Sequence, residues 1–290
     1  MASICKVLKM LKSLFRPIVL PILCLAANLA SIRPALAHEF WVEPEKYQVE
    51  TGGSLKAGLR NGEMFKGARL PYLDHRIRRF DISQRDVPLP YRGRMGDMPA
   101  LVLEALEPGL LILLHETTPD LITYETWDAF SSFAQTKGLL DVDSWSRGRA
   151  GPNAGFGEYY TRHTKSLIAV GSGIGSDRAF GLETEFVALQ NPYELHLSAG
   201  ETAAVLQFQL LYQGVARPQT QVELFARGPE DAVQRQIFKT DDSGVVQIPV
   251  QSGQRYLLNS VVLRPFVPTT ETEAAVLWET LWASLVFAIP

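Results

Sequence analysis

Five histidines, and cysteines only near the start, set the chemistry open to this chain. The histidines are His38, His75, His115, His163 and His196, and the two cysteines are Cys5 and Cys24. His38 stands out by position. Ahead of it Lys6, Lys9, Lys12 and Arg16 form a basic start with no acidic residue, followed by an apolar stretch from Pro17 to Ile32 and then Ala35-Leu36-Ala37. Small residues three and one before a junction are what signal peptidase accepts. Residues 1–37 are therefore expected to be removed, so that the mature chain opens His38-Glu39-Phe40-Trp41. Cleavage would place a free α-amino group and an imidazole on one residue, and those two nitrogens can close a chelate ring on a divalent metal. Both cysteines would leave with the leader, so the remaining donors are nitrogen and oxygen, which suit nickel, cobalt, copper(II) or zinc.

A bound ion needs more donors than His38 supplies. The tripeptide-type amino-terminal site requires histidine third in the chain, where Phe40 stands. His115 lies at the end of an apolar run and His163 among Tyr159, Tyr160 and Arg162. These two are the expected partners, giving the metal set His38, His115 and His163. His75 follows Asp74 in a basic neighbourhood, and His196 reads as a surface strand position.

Composition narrows the setting. The leader's apolar part, about 16 residues, is shorter than the roughly 20 that span a bilayer, and Pro17 and Pro21 interrupt it. Export with cleavage into the periplasm is expected rather than a retained anchor. Leu23 precedes Cys24, where a lipoprotein carries Gly or Ala. Losing Lys6, Lys9, Lys12, Arg16 and Arg33 lowers 28 basic residues to 23, against 31 Asp and Glu. Such an acidic chain is a poor partner for nucleic acid or anionic lipid. A nucleophilic hydrolase is disfavoured, because there is no Gly-x-Ser-x-Gly elbow. Nothing in the spacing of Glu158, Asp177, Glu183 and Glu185 fixes them as a catalytic carboxylate pair.

The elements that must hold these residues read as β. Tyr47–Glu50 and Ser54–Leu59 alternate, and Leu110–Leu114 is a continuous apolar run suited to a strand buried on both faces. From Thr126 to Leu140, Trp127, Phe130, Phe133, Ala134 and Leu140 recur at helical spacing, with Gly138 near the end, predicting one helix whose aromatic stripe covers a sheet. Residues 141–157 read as a loop. The glycines of Gly171-Ser172-Gly173-Ile174-Gly175 precede a strand-like Glu183–Leu189, so they make a loop rather than a dinucleotide fingerprint. Strands are expected at Tyr193–Leu197, Val205–Tyr212, Val222–Ala226, Ile237–Thr240, Val245–Val250, Tyr256–Leu263 and Val276–Phe287, with a turn at Asp241-Asp242-Ser243-Gly244. That rhythm is immunoglobulin- or transthyretin-like.

Several local patterns in order carry a resemblance. They are His38-Glu39-Phe40-Trp41-Val42-Glu43-Pro44, Gly62-Glu63-Met64-Phe65, Tyr159 through Ile168, Gln190-Asn191-Pro192-Tyr193, Thr240 through Gly244, and Trp278 to Phe287. Together they resemble domain-of-unknown-function family 4198, exported bacterial proteins often labelled periplasmic components of nickel or cobalt uptake. The resemblance implies an exported β-rich protein with a processed histidine start. The segment around Asp241–Gly244 also resembles the carboxypeptidase-regulatory or transthyretin-like sandwich, mostly a binding or spacer module.

The combined expectation is a mainly β protein with two β-sandwich-like modules, 38–157 and 158–290, the first carrying the helix and a long loop lying between them. Its expected role is non-enzymatic: periplasmic binding of a nickel, cobalt or copper ion for a transporter of the inner or outer membrane. Two other classes remain open. A copper-dependent polysaccharide monooxygenase also begins with a chelating histidine on a β-sandwich, and substrate oxidation with copper and reductant would reveal it. A metal-free scaffold of a membrane transporter would bind no ion in a titration.

Overall fold

A computed structural model of the chain describes residues 38–84, 87–139, 155–195 and 202–290. The strands of the first half are β1 (Glu39–Pro44), β2 (Gln48–Val49), β3 (Leu55–Glu63), β4 (Lys66–Leu70), β5 (Ile77–Ser83), β6 (Leu89–Pro90), β7 (Leu101–Leu103), β8 (Gly109–Thr117) and β9 (Asp120–Tyr124). Helix α1 (Trp127–Thr136) and strand β10 (Phe156–Val170) follow. The second half adds β11 (Thr184–Ala188), β12 (Ala203–Tyr212), β13 (Val215–Ala216), β14 (Gln221–Arg227), β15 (Val233–Lys239), β16 (Val245–Gln251), β17 (Arg255–Pro265) and β18 (Val276–Ala288).

Alternation along β8 shows how these strands layer. Leu110, Ile112 and Leu114 belong to a core with Phe208 and Ile248, whereas Leu111 and Leu113 belong to another with Phe40 and Leu59. One strand thus feeds two cores on opposite faces, which is why its sequence is apolar without interruption. The sheet containing it has ten strands, in the order β15-β14-β17-β18-β10-β8-β5-β6, with β2 and β9 also joined to β10. One face is covered by the sheet of β1, β3, β4 and β7, the other by the sheet of β11, β12, β13 and β16. The mainly β expectation and its sandwich packing are borne out, with the middle layer common to both sandwiches.

The boundary expected between 157 and 158 falls inside β10, and the central sheet takes strands from either side of it. β10 runs parallel to β18 from Gly157 to Ser166. Along its other edge β9 pairs with residues 156–160 and β8 with 167–170. Residues 161–166 lie where β10 passes from one partner to the other. The change follows from Pro119, which has no N–H for a ladder and separates β8 from β9. Within that interval the Arg162 N–H is taken by the Thr117 hydroxyl at 3.0 Å.

The expected helix forms, with Thr126 as its N-cap accepting from the Ala129 N–H at 3.4 Å. Its C-terminus closes on Gly138 at φ +67°, the left-handed position that glycine adopts freely, while the Leu139 N–H reaches the Ala134 carbonyl. Phe130 and Phe133 stack on Trp278 and Trp282 of β18 at 5.6 and 5.8 Å. The aromatic stripe therefore covers the central sheet beside β1, as expected. Most of the expected loop, residues 141–154, lies outside the described residues, as does Leu140 of the expected helix. No helix among the described residues is long and apolar enough to cross a membrane.

Tyr193 does not begin a strand. Asn191 makes a local turn there, accepting from the Tyr193 N–H at 2.9 Å while its amide donates to the Gly173 and Gly175 carbonyls. Tyr193 then donates its hydroxyl to the Leu167 carbonyl at 2.6 Å, stapling the glycine loop to β10. Residues 196 and 197 of that expected strand lie outside the described residues.

The loop between β10 and β11 hangs on a buried charge cluster. Lys165 Nζ lies 2.7 Å from Asp177 and 3.6 Å from Glu185, all three side chains being at most 2% exposed. The Lys165 ammonium also donates to the Arg178 carbonyl, and Glu185 accepts from the Phe180 and Gly181 N–H groups. Burial raises the Glu185 pKa, opposed by the Lys165 charge and those N–H donors. Removing the cation leaves two carboxylates in a dry site, so Lys165→Met is expected to lower unfolding free energy in urea by about 3–5 kcal/mol. A loss below about 1 kcal/mol would show that the cluster is hydrated and not structural.

Candidate functional site

The register of β1 against β3 decides what faces His38. Glu39 pairs with Gly62 in an antiparallel ladder, which sets His38 opposite Glu63, and His38 Nε2 lies 3.3 Å from Glu63 Oε1. The two-residue turn after Glu63 places Met64 and Phe65 at φ +52° and +55°. Such a conformation costs a non-glycine residue about 1 kcal/mol or more. Burial of the Phe65 ring against Trp41 at 5.4 Å and beneath the Arg227 guanidinium at 3.9 Å offsets it. Both side chains of the His38–Glu63 pair are about half exposed.

The backbone of His38 is held from below. Its carbonyl accepts from the guanidinium of Arg162, which is buried on the β1-facing side of β10. The Arg162 guanidinium lies 4.3 Å from the Trp282 ring and 4.9 Å from that of Tyr160. Burial lowers its pKa to about 10, so it stays cationic at neutral pH. Next to it, Lys137 at the end of α1 reaches Glu39 at 3.0 Å and Glu223 at 2.6 Å, and also lies 5.0 Å from the Trp282 ring. Glu223 further accepts from Asn259 and Arg235 at 2.8 and 2.6 Å. Burial raises the Glu39 pKa against the pull of Lys137. Three elements far apart in sequence, β1, α1 and β14, thus meet through one buried ion network directly behind His38.

The other expected ligands are placed apart. His115 on β8 is buried on the β1-facing side, with the Phe40 and Phe80 rings 5.2 and 5.0 Å away. His163 on β10 shares the opposite face with Lys165 and Leu167, its Nε2 3.8 Å from Glu116. Strand alternation therefore keeps His115 and His163 from sharing a centre with each other. Burial lowers their pKa values to about 3 and 4, so both imidazoles are neutral. His75 is exposed in a short turn of 3-10 helix beside Asp74, and His196 lies outside the described residues. Among the described residues no group of three His, Cys, Asp or Glu converges as a metal would require.

Residues 35–263 match the model of the family described as Domain of unknown function (DUF4198). The chain belongs to that family. No curated protein matches it. Among solved structures the D0-D1 domain of Intimin is similar at 10% identity, covering 86% of this chain and 97% of that one with a TM-score of 0.21.

In this DUF4198 protein the residues that sequence reading passed over are Glu63, Arg162, Glu39, Lys137 and Glu223. Glu63 carried a signal only as part of the Gly62-Glu63-Met64-Phe65 pattern. The other four carried none, because each reads as an ordinary charged residue until the fold buries it. Glu158, one of the carboxylates named from the sequence, lies on the same side of β10, accepting from the Tyr124 hydroxyl at 3.0 Å and from the Thr280 hydroxyl. Burial raises its pKa from 4.5 to about 7, opposed by those hydroxyls and by Arg162. A raised carboxyl pKa contributes stability that is complete below pH 4.5 and lost as pH rises through about 7. The difference in unfolding free energy between the native protein and Glu158→Gln should therefore shift in favour of the variant by about 1.4 kcal/mol per pH unit across that window. A pH-independent difference would contradict the burial of an ionisable Glu158.

Proposed function

We propose that this is a periplasmic carrier that binds a nickel, cobalt or copper ion through His38 and passes it to a membrane uptake system, without catalysing a reaction. The supporting observation is the contact of His38 Nε2 with Glu63. A histidine that ligates through one ring nitrogen usually donates the other N–H to a carboxylate, which fixes the tautomer and turns the ring. In this reading Nε2 carries the ring proton toward Glu63 and the lone pair stays on Nδ1, the nitrogen nearer the backbone. Nδ1 is the one that forms a chelate ring with an α-amino group on the same residue. The Arg162 grip on the His38 carbonyl limits the backbone motion that would otherwise open that ring.

A site built this way supplies two nitrogens and leaves the ion's other positions to water or to a recipient. That suits a carrier that must release its cargo better than a resident centre. His115 and His163 are not needed as ligands in this reading, and Glu63 acts on the imidazole, not on the ion.

The test is a nickel titration of the chain that begins at His38, beside the same chain with one alanine ahead of it. The extra residue removes the α-amino donor, and affinity should fall by at least about tenfold, with Glu63→Gln costing about 10–100-fold. Equal affinity for both chains would place the ion elsewhere and end the proposal.

A further inference from the structure

Behind His38, Arg162 has no carboxylate of its own. Among the described residues Arg162 makes no ion pair; Glu39 and Glu158 act on it only from beyond that distance, and its Nε has no hydrogen-bond partner. A buried cation left in this state is costly unless an anion joins it. Arg162 also lines a cavity of about 250 Å³ that opens between β3, β5 and the β8–β9 junction. The cavity lies beside the point where β8 and β9 part around Pro119, which lines it.

A second group points the same way. His115 lines the cavity at 1% exposure, and neither of its ring nitrogens has a partner. Its neutral ring has one N–H to donate. Phe40, Leu59 and Ile77 supply apolar wall, and the Thr117 and Thr118 hydroxyls stand nearby. Asp120, the one carboxylate lining the cavity, is taken up by Arg76 and the Tyr160 hydroxyl at 3.1 and 3.0 Å. In the other cleft the buried Arg227 is matched by Glu43, and the cations on its wall without an ion pair among the described residues, Lys66 and Arg69, are exposed.

We infer that this cavity is a binding site for a small organic carboxylate whose carboxylate meets the Arg162 guanidinium, with the buried His115 ring behind it, and whose apolar body lies against Phe40 and Leu59. A planar guanidinium favours a carboxylate, and an apolar wall favours an organic body over an inorganic ion. This site needs no metal at His38, although the two share Arg162.

Benzoate, benzamide and sulfate serve as probes, titrated by calorimetry and by amide NMR at millimolar concentration. Benzoate should bind at one site and shift the signals of cavity residues, with benzamide and sulfate weaker by at least about tenfold. Arg162→Gln should abolish the preference for benzoate. Because that variant removes a buried group and can fail to fold, Leu73→Trp is the companion. It fills the cavity mouth, leaves Arg162 in place, and should abolish benzoate binding while the unfolding midpoint is kept. Absence of benzoate binding, equal binding of benzamide, equal binding of sulfate, or full binding by Leu73→Trp would each overturn the assignment.

Discussion

A guanidinium buried where β10 changes partners is the constraint that the functional face depends on. Arg162 cannot leave, because it sits behind β1 with Tyr160 and Trp282 against it. Its backbone N–H lies in the interval of β10 between the segments paired to β8 and β9 and goes to the Thr117 hydroxyl. One of its side-chain donors goes to the His38 carbonyl, its Nε is buried without a partner, and the residue lines the cavity. Both proposed sites follow from this one residue: the anchored His38 above it and an anion-seeking cavity beside it.

The remaining buried ions serve assembly. Lys137 ties the end of α1 to β1 and β14 through Glu39 and Glu223, and Lys165 ties the loop before β11 to β10. Buried ion pairs of this kind add little net stability compared with apolar packing, but each is expensive to break singly. They specify which segments meet. In a protein whose central sheet feeds two apolar cores, such markers separate the covering layers, because generic hydrophobic burial would accept either one on either face.

What could be read in the sequence was local. The apolar run of Leu110–Leu114, the aromatic stripe of α1 and the Asp241–Gly244 turn each carry their own periodicity or turn chemistry, and each formed as expected. The parallel pairing of β18 with β10 is not local. It joins strands more than a hundred residues apart, and it turns two expected sandwiches into three layers with a shared middle. The Tyr193–Leu197 expectation gave way to an asparagine turn, because side-chain hydrogen bonds from Asn191 outcompeted a short alternating pattern. Glu63 escaped notice because Met64 and Phe65 occupy positive-φ positions that hairpin turns ordinarily give to Asn or Gly. His115 and His163 seemed interchangeable in sequence, and only strand parity separated them.

The central claim is that His38, oriented by Glu63 and anchored by Arg162, is where an ion is held. It is tested most directly by anomalous diffraction at the nickel edge from crystals of the chain beginning at His38. The account predicts one peak within bonding distance of the His38 amine and Nδ1, with Nε2 still turned to Glu63. A peak at His75, His115 or His163, or none at full nickel loading, would contradict it.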